Sequence, residues 1–270
     1  MKKIVITGGA GFIGSHIVEH FANTYPQSEI VVLDKMTYAA DVRNILPLIN
    51  NGRIRLLVND ICHLDSCLHA VQNADLVIHA AAESHVDNSF GNSMEFTRTN
   101  VLGTHALMEA CRRENVKRVI HVSTDEVYGE IIEGAADEEA LLRPTNPYSA
   151  SKAAAEMIIS GYLRSYKMPI VMVRANNIFE KRQFPEKIIP KFSLHLIKGE
   201  KLTIHGNGLN SRHYLSARDF AKALDLLAHK GEIGECYNVG TIEEYTNIQM
   251  AHLLCKIFDV DPEKTITFIT

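Results

Sequence analysis

Short apolar runs separated by longer amphipathic stretches dominate the first two-thirds of the chain. Residues 3–7 (KIVIT), 30–34 (IVVLD), 54–58 (IRLLV), 75–79 (DLVIH), 119–123 (VIHVS) and 169–174 (PIVMVR) each read as a strand. Several are nearly continuous in apolar residues rather than alternating, the pattern of strands covered by helices on both faces. The intervening segments are long enough for crossover helices, which predicts an α/β fold with a doubly wound parallel sheet. After Arg174 the rhythm changes: residues 176–190 read as irregular and polar, and shorter helix, strand and helix patterns follow. A helix near residues 217–228 and a strand at Tyr237-Asn238-Val239 are expected in a small C-terminal lobe laid against the sheet. The pattern divides the chain into 1–175 and 176–270. No clean linker separates them, so the second part is expected to interleave with the first.

Composition narrows the function classes. Hydrophobic residues make up 46% of 270, enough to fill a substantial core, and 22% charged residues argue against disorder. The net charge of −4 comes without any basic cluster, which excludes nucleic acid as a main partner. Cys62, Cys67, Cys111, Cys236 and Cys255 are scattered without CxxC spacing, so free thiols in a reducing compartment are expected, and no metal site. The chain opens directly on strand-like residues and has no apolar run long enough to span a bilayer, so a cytoplasmic protein without a membrane partner is expected.

Thr7-Gly8-Gly9-Ala10-Gly11-Phe12-Ile13-Gly14 follows the first strand and opens a helix. Gly9, Gly11 and Gly14 satisfy G-x-G-x-x-G, and Gly8, Gly11 and Gly14 the G-x-x-G-x-x-G variant. Glycines there let the backbone approach a pyrophosphate held at a helix N-terminus. Asp34 ends the second strand about 20 residues later, where a carboxylate accepts ribose hydroxyls and repels a 2′-phosphate. That favours NAD, although Lys35 beside it weakens the exclusion. Asp60-Ile61 and Ala80-Ala81-Ala82 lie at the C-terminal ends of the third and fourth strands, where open sheets bind ligands. Residues 1–175 therefore read as a Rossmann-like, NAD-binding domain.

Asn146-Pro147-Tyr148 reads as a helix start, with Asn146 as N-cap and Pro147 at the first helical position. Tyr148 and Lys152 then share one helix face. For the phenol to act as a base near neutrality its pKa must fall from about 10 to about 7, roughly 4 kcal/mol. An ammonium at about 4 Å in a partly shielded site supplies an effect of that size. Thr124 follows the fifth strand, placed to hydrogen-bond a substrate hydroxyl, and Asp125 and Glu126 come next. Two neighbouring carboxylates in a shielded cleft are expected to split into one protonated and one ionised group, an acid and a base. On the residues alone, an acidic turn capping the next helix accounts for the same triplet.

The segments TGGAGFIGS, Asp34-Lys35-Met36-Thr37-Tyr38, AAESHVD from Ala81, STDEVYG from Ser123 and PYSASK from Pro147 resemble the dTDP-glucose 4,6-dehydratases, members of the extended short-chain dehydrogenase/reductases. The similarity continues through Gln183-Phe184-Pro185-Glu186-Lys187, residues 206–212 and Tyr237-Asn238-Val239-Gly240, and so covers nearly the whole chain. It implies a lyase acting on dTDP-glucose or UDP-glucose in deoxysugar synthesis. Tyr148, with Lys152 and Thr124, would take the 4-hydroxyl proton as NAD is reduced; Glu126 would take the C5 proton while Asp125 protonates the departing 6-hydroxyl; the hydride would then return to C6. The resemblance also implies cofactor contacts at Gly8, Gly11, Phe12, Ile13, Gly14, Asp34, Lys35, Thr37, Asp60, Ile61, Ala80, Ala82, Thr99, Tyr148, Lys152 and Ile178. Ser84, Thr124, Asn177, Lys187, Ile188, Thr203, His205, Arg212 and Asn247 carry over as nucleotide-sugar contacts, with Arg212 clamping the diphosphate. A homodimer formed through two helices of each subunit is implied in the same way.

Departures from the family pattern fall on the nucleotide rim. Phe179-Glu180-Lys181 stands for a Tyr-Gly-Pro-like turn, His213-Tyr214 for an Asp-Trp-like pair, and His205 for an aromatic residue. The sequence stops at Phe268-Ile269-Thr270, before an Arg-Pro-Gly-like loop of the family, which points to a shortened substrate lobe. A nucleotide-sugar 4-epimerase needs the Tyr-Lys pair but no acid-base couple, and a non-catalytic NAD-binding protein needs neither; both stay open on the sequence.

Overall fold

The computed structural model describes residues 1–132 and 134–269; the chain-end residue Thr270 lies outside them. In chain order the strands are β1 (Lys3–Thr7), β2 (Glu29–Asp34), β3 (Ile54–Val58), β4 (Leu76–His79), β5 (Val119–Thr124), β6 (Ile170–Ala175), β7 (Asn177–Phe179), β8 (Leu202–His205), β9 (Ser211–Ser216), β10 (Cys236–Val239), β11 (Glu244–Thr246) and β12 (Ile266–Ile269). The helices are α1 (Phe12–Thr24), α2 (Leu46–Asn50), α3 (Leu64–Val71), α4 (Val86–Gly91), α5 (Ser93–Phe96), α6 (Thr104–Arg113), α7 (Pro147–Tyr166), α8 (Ile188–Lys198), α9 (Ala217–Lys230), α10 (Asn247–Ile257) and α11 (Pro262–Thr265). None is long and apolar enough to cross a membrane, among the described residues.

Seven strands form one parallel sheet in the order β10-β6-β5-β4-β1-β2-β3. Every residue of β1, β4 and β6 is buried, as their unbroken apolar runs require of strands covered on both faces. Strand order reverses between β1 and β4, so their C-terminal ends open the crevice where such sheets take ligands. One face is filled by Val5, Val31, Leu33, Val77 and Val119 packed with Leu107, Met108, Cys111, Ile159 and Tyr162.

The chain forms two compact units, residues 1–175 with 217–239, and residues 176–216 with 240–270. The helix and strand expected in the C-terminal lobe therefore belong to the first unit. Strand β10 pairs in parallel with β6, Asn238 opposite Arg174. Helix α9 packs on α1, where Asp225 accepts from Tyr25 and lies 2.8 Å from His20 Nε2. The strand at 237–239 is expected, but a four-residue run carries no mark of its partner, which is why its place beside β6 escapes a reading by pattern.

The second unit holds a three-stranded sheet, β11-β9-β7, and a parallel pair, β12 and β8. Phe192, Leu196, Leu202, Ile204, Met250, Ala251, Leu254 and Cys255 form its core. The stretch expected to be irregular contains β7, and α8 begins at Ile188, two residues before Pro190.

Candidate active site

The loop after β1 is folded down onto the exit of β4. Gly8 has φ of +72°, and a Cβ there would sit 2.7 Å from the Ala81 Cα. A Cβ on Gly14 would lie 2.0 Å from the Gly8 carbonyl oxygen, so α1 can start where it does only without a side chain. Gly11 is different: its added Cβ would meet nothing closer than 3.4 Å. Among the described residues no side chain caps α1, and its first turn, with Phe12 and Ile13, carries no acid, so its positive end suits an anion from outside the chain.

Asp34 is buried, with Oδ2 accepting from the Ala10 amide at 2.9 Å and Oδ1 from the Met36 amide at 2.8 Å. Each oxygen keeps a lone pair for a further donor. Thr37 is half-buried on the turn that follows, and Ala80 and Ala82 are half-buried beyond β4. The Thr99 hydroxyl is buried without a hydrogen-bond partner among the described residues. A glycine cradle, an uncapped helix start and an orphaned hydroxyl together fit a dinucleotide. Ile61 packs in the core instead, where a Cβ on Gly103 would press to 2.7 Å from its side chain. Ser84 is exposed.

The reacting groups come from the end of β5 and the start of α7. Asn146 caps α7 reciprocally with Ser149, and Pro147 occupies the first turn. Thr124 caps a 3₁₀ turn over Asp125–Tyr128, its Oγ1 accepting from the Glu126 amide at 3.3 Å and donating to Asp125 Oδ1 at 3.3 Å. Gly129 ends that turn at φ +82°, where a Cβ would lie 2.2 Å from the Arg143 carbonyl oxygen. Three contacts clasp the two elements. Asn146 Nδ2 donates to Glu126 Oε2 at 3.3 Å, Lys152 Nζ donates to the Val122 carbonyl at 2.7 Å, and Ser123 Oγ donates to Glu156 Oε1 at 2.5 Å.

The structure thus brings Thr124, Asp125, Glu126, Tyr148 and Lys152 together, and the charges of both carboxylates reach the phenol. In the ligand-free protein the Tyr148 pKa is shifted the other way. Burial pushes the phenol well above its usual range and Glu126 adds to it, while the hydrogen bond with Thr124 opposes them. Burial draws Lys152 down to about 8, with the Glu156 charge holding it up.

Asn100 and the Glu156–Arg174 pair carry no short-range sequence signal, and Asn146 carries one for its cap alone. Asn100, in a π-helical stretch over Thr97–Gly103, accepts from the Glu83 amide at 2.9 Å and donates to the Glu83 carbonyl at 2.9 Å and Ser151 Oγ at 2.8 Å. Asn146 does more than cap its helix. Glu156 and Arg174 form a buried ion pair at 2.7 Å beneath the clasp.

The residues expected to meet the nucleotide sugar from the second unit are placed as follows. Thr203 and His205 alternate along β8 with the buried Leu202 and Ile204. Arg212 is exposed on β9, its Nη1 donating to the Ser211 carbonyl at 2.7 Å. Asn177 and the buried Ile178 lie on β7, opposite Tyr214 and Leu215. Lys187 is the N-cap of α8, Ile188 packs on the unit's core, and Asn247 opens α10 with its amide bonded to the Asn210 carbonyl at 2.9 Å.

The family model described as GDP-mannose 4,6 dehydratase matches residues 5–266. A trifunctional UDP-glucose 4,6-dehydratase/3,5-epimerase/reductase of Arabidopsis thaliana is 49% identical over 99% of this chain, which spans 41% of that protein. The dTDP-D-glucose 4,6-dehydratase of Homo sapiens is 42% identical over 95% of the chain and 74% of its own length. Among solved structures, the dTDP-glucose 4,6-dehydratase of Streptomyces venezuelae with NAD bound superposes with a TM-score of 0.94 at 36% identity, covering 99% of this chain and 84% of that one.

Proposed function

We propose that this chain, which belongs to the GDP-mannose 4,6 dehydratase family, binds NAD and converts a nucleotide-diphosphate glucose, UDP- or dTDP-linked, to its 4-keto-6-deoxy sugar. The observation that carries this reading is that Asp125 and Glu126 stand on a turn clasped to the helix that bears the buried Tyr148, with both charges acting on its phenol. A 4-epimerase has no use for that pair of carboxylates.

Bound NAD would supply the hydride acceptor at C4 and the hydride returned to C6. Its pyrophosphate would rest at the Gly8–Gly14 loop and its adenosine ribose against Asp34, with Thr99 offering a hydroxyl that has no hydrogen-bond partner among the described residues. Burial favours the protonated phenol in the ligand-free protein. The phenol oxygen can take the proton of the sugar 4-hydroxyl once its own has passed to a group able to hold it, and Asp125, which Thr124 Oγ1 reaches at 3.3 Å, is the carboxylate that would receive it. Once C4 is a ketone the C5 proton is acidic, and Glu126, held by Asn146, is the base that takes it. Asp125 delivers a proton to the 6-hydroxyl as it leaves. Each proton transfer contributes about 10²- to 10⁴-fold. Arg212, Asn247, Lys187, Thr203 and His205 are the expected contacts of the nucleotide sugar.

Incubation with UDP-glucose and dTDP-glucose, followed by mass spectrometry, should show loss of one water from at least one of them. A Glu126→Gln variant should oxidise C4 yet retain that water, and normal dehydration by it would refute the role of Glu126. The same reading takes the enzyme as a cytoplasmic homodimer. Light scattering tests the oligomeric state.

A further inference from the structure

A compact ionic cluster sits beside Asp34, where the chain leaves β2. Lys35 Nζ lies 3.0 Å from Asp60 Oδ2 and 3.0 Å from Glu95 Oε1. Arg98 approaches the same two carboxylates at 3.9 Å each. Asp60 is almost wholly buried and its other oxygen accepts the Cys62 amide at 2.9 Å, so its carboxylate is fixed in place. With Asp34 the group comprises three carboxylates against two cations.

A lysine directly after the ribose-reading aspartate is chemically awkward for an NAD site. A free ammonium there is a ligand for a ribose 2′-phosphate, and it would erode the discrimination that the aspartate provides. Here the ammonium already has two carboxylate partners, and hydrogen bonding to Asp60, followed by Glu95, holds it firmly protonated against the cost of burial.

We propose that Glu95 is a specificity-determining residue: with Asp60 it engages Lys35 so that the ammonium is withheld from a 2′-phosphate, and NADP is rejected. This rests on the dinucleotide reading given above. A merely structural clip between the end of β2 and helix α5 would change stability and leave nucleotide preference where it was.

Fluorescence titration of the purified protein with NADH and NADPH tests it, using wild type, E95Q, E95A and the double variant E95Q/K35M. Removing one negative charge from a partly screened site is worth about tenfold in affinity for an anion. The ratio of NADPH to NADH dissociation constants should therefore fall about tenfold in E95Q and E95A. It should return toward the wild-type ratio in E95Q/K35M, because the released ammonium is then gone. A ratio within twofold of wild type in both single variants, with NADH still bound, overturns the inference alone. Failure of the wild-type protein to bind either nucleotide overturns the dinucleotide reading and this inference with it.

Discussion

Replacing Glu156 by Gln should destabilise the first unit more than any other isosteric change near the site. Glu156 follows Lys152 by one turn on α7, and its carboxylate is fully buried. It accepts Arg174 Nη2 at 2.7 Å, Arg174 Nε at 3.2 Å on each oxygen, and Ser123 Oγ at 2.5 Å. Arg174 also donates to the Tyr128 hydroxyl at 2.8 Å and the Glu138 carbonyl at 3.0 Å, and lies 4.8 Å from the Tyr128 ring centroid. Glutamine keeps the volume but leaves the guanidinium buried without a counter-charge. One-sided removal of a buried pair costs about 3–5 kcal/mol. At about 3 °C per kcal/mol for a unit of this size, Tm should fall by roughly 10 °C. Urea denaturation followed by circular dichroism measures the loss directly. The double variant Glu156→Leu/Arg174→Met should recover more than half of it, since an apolar pair of similar volume is often neutral. A Glu156→Gln protein within about 1 kcal/mol of wild type would falsify the view that this pair holds the site's floor. The same variant should lower the Lys152 pKa below its present value of about 8, because Glu156 holds it up. Amine-modification rates across pH report that shift.

Gly14→Ala should unfold or severely weaken the protein, since its methyl group meets the Gly8 carbonyl at 2.0 Å, whereas Gly11→Ala should melt within about 1 kcal/mol of wild type and yet lose NADH affinity in a fluorescence titration. Burial depresses His79 to about 3 and His121 well below its ordinary value, with the Lys152 charge contributing to both. Both are neutral when folded and protonate in the unfolded chain below its pKa of about 6.5, so stability is complete above that pH and falls beneath it. The loss between pH 7.5 and 5 should be about 2 kcal/mol per histidine, read from urea melts at the two values. His121→Leu should halve that acid loss and add about 1–2 kcal/mol at pH 7.5, because neither His121 nitrogen has a hydrogen-bond partner among the described residues. Asn146→Asp should keep the cap of α7 but place a second negative charge against Glu126, so dehydration should slow while the melting curve stays within about 1 kcal/mol.

The sheet was legible because each central strand is buried on both faces, and continuous apolar runs mark such strands to within a residue. The pattern at 30–34 becomes Glu29–Asp34, and that at 75–79 becomes Leu76–His79. The start of α7 was legible for a different reason: Asn146 and Pro147 act within one turn, so their physics is written locally. Neither rule reaches β10, whose four residues gain their place from pairing with β6. The site divides along the same line. Motif and spacing brought Thr124, Asp125, Glu126, Tyr148 and Lys152 into one list, and the fold brings them into one place. What holds them there is non-local: Asn146 reaches back 20 residues to Glu126, and Ser123 reaches forward 33 to Glu156. The upward shift of Tyr148 in the ligand-free protein has a related cause. Spacing reveals that a lysine lies one helical turn away, but not that its ammonium donates to the Val122 carbonyl while the phenol is buried. Desolvation, with the Glu126 charge, then outweighs in the ligand-free protein the attraction expected from the Tyr-Lys pair.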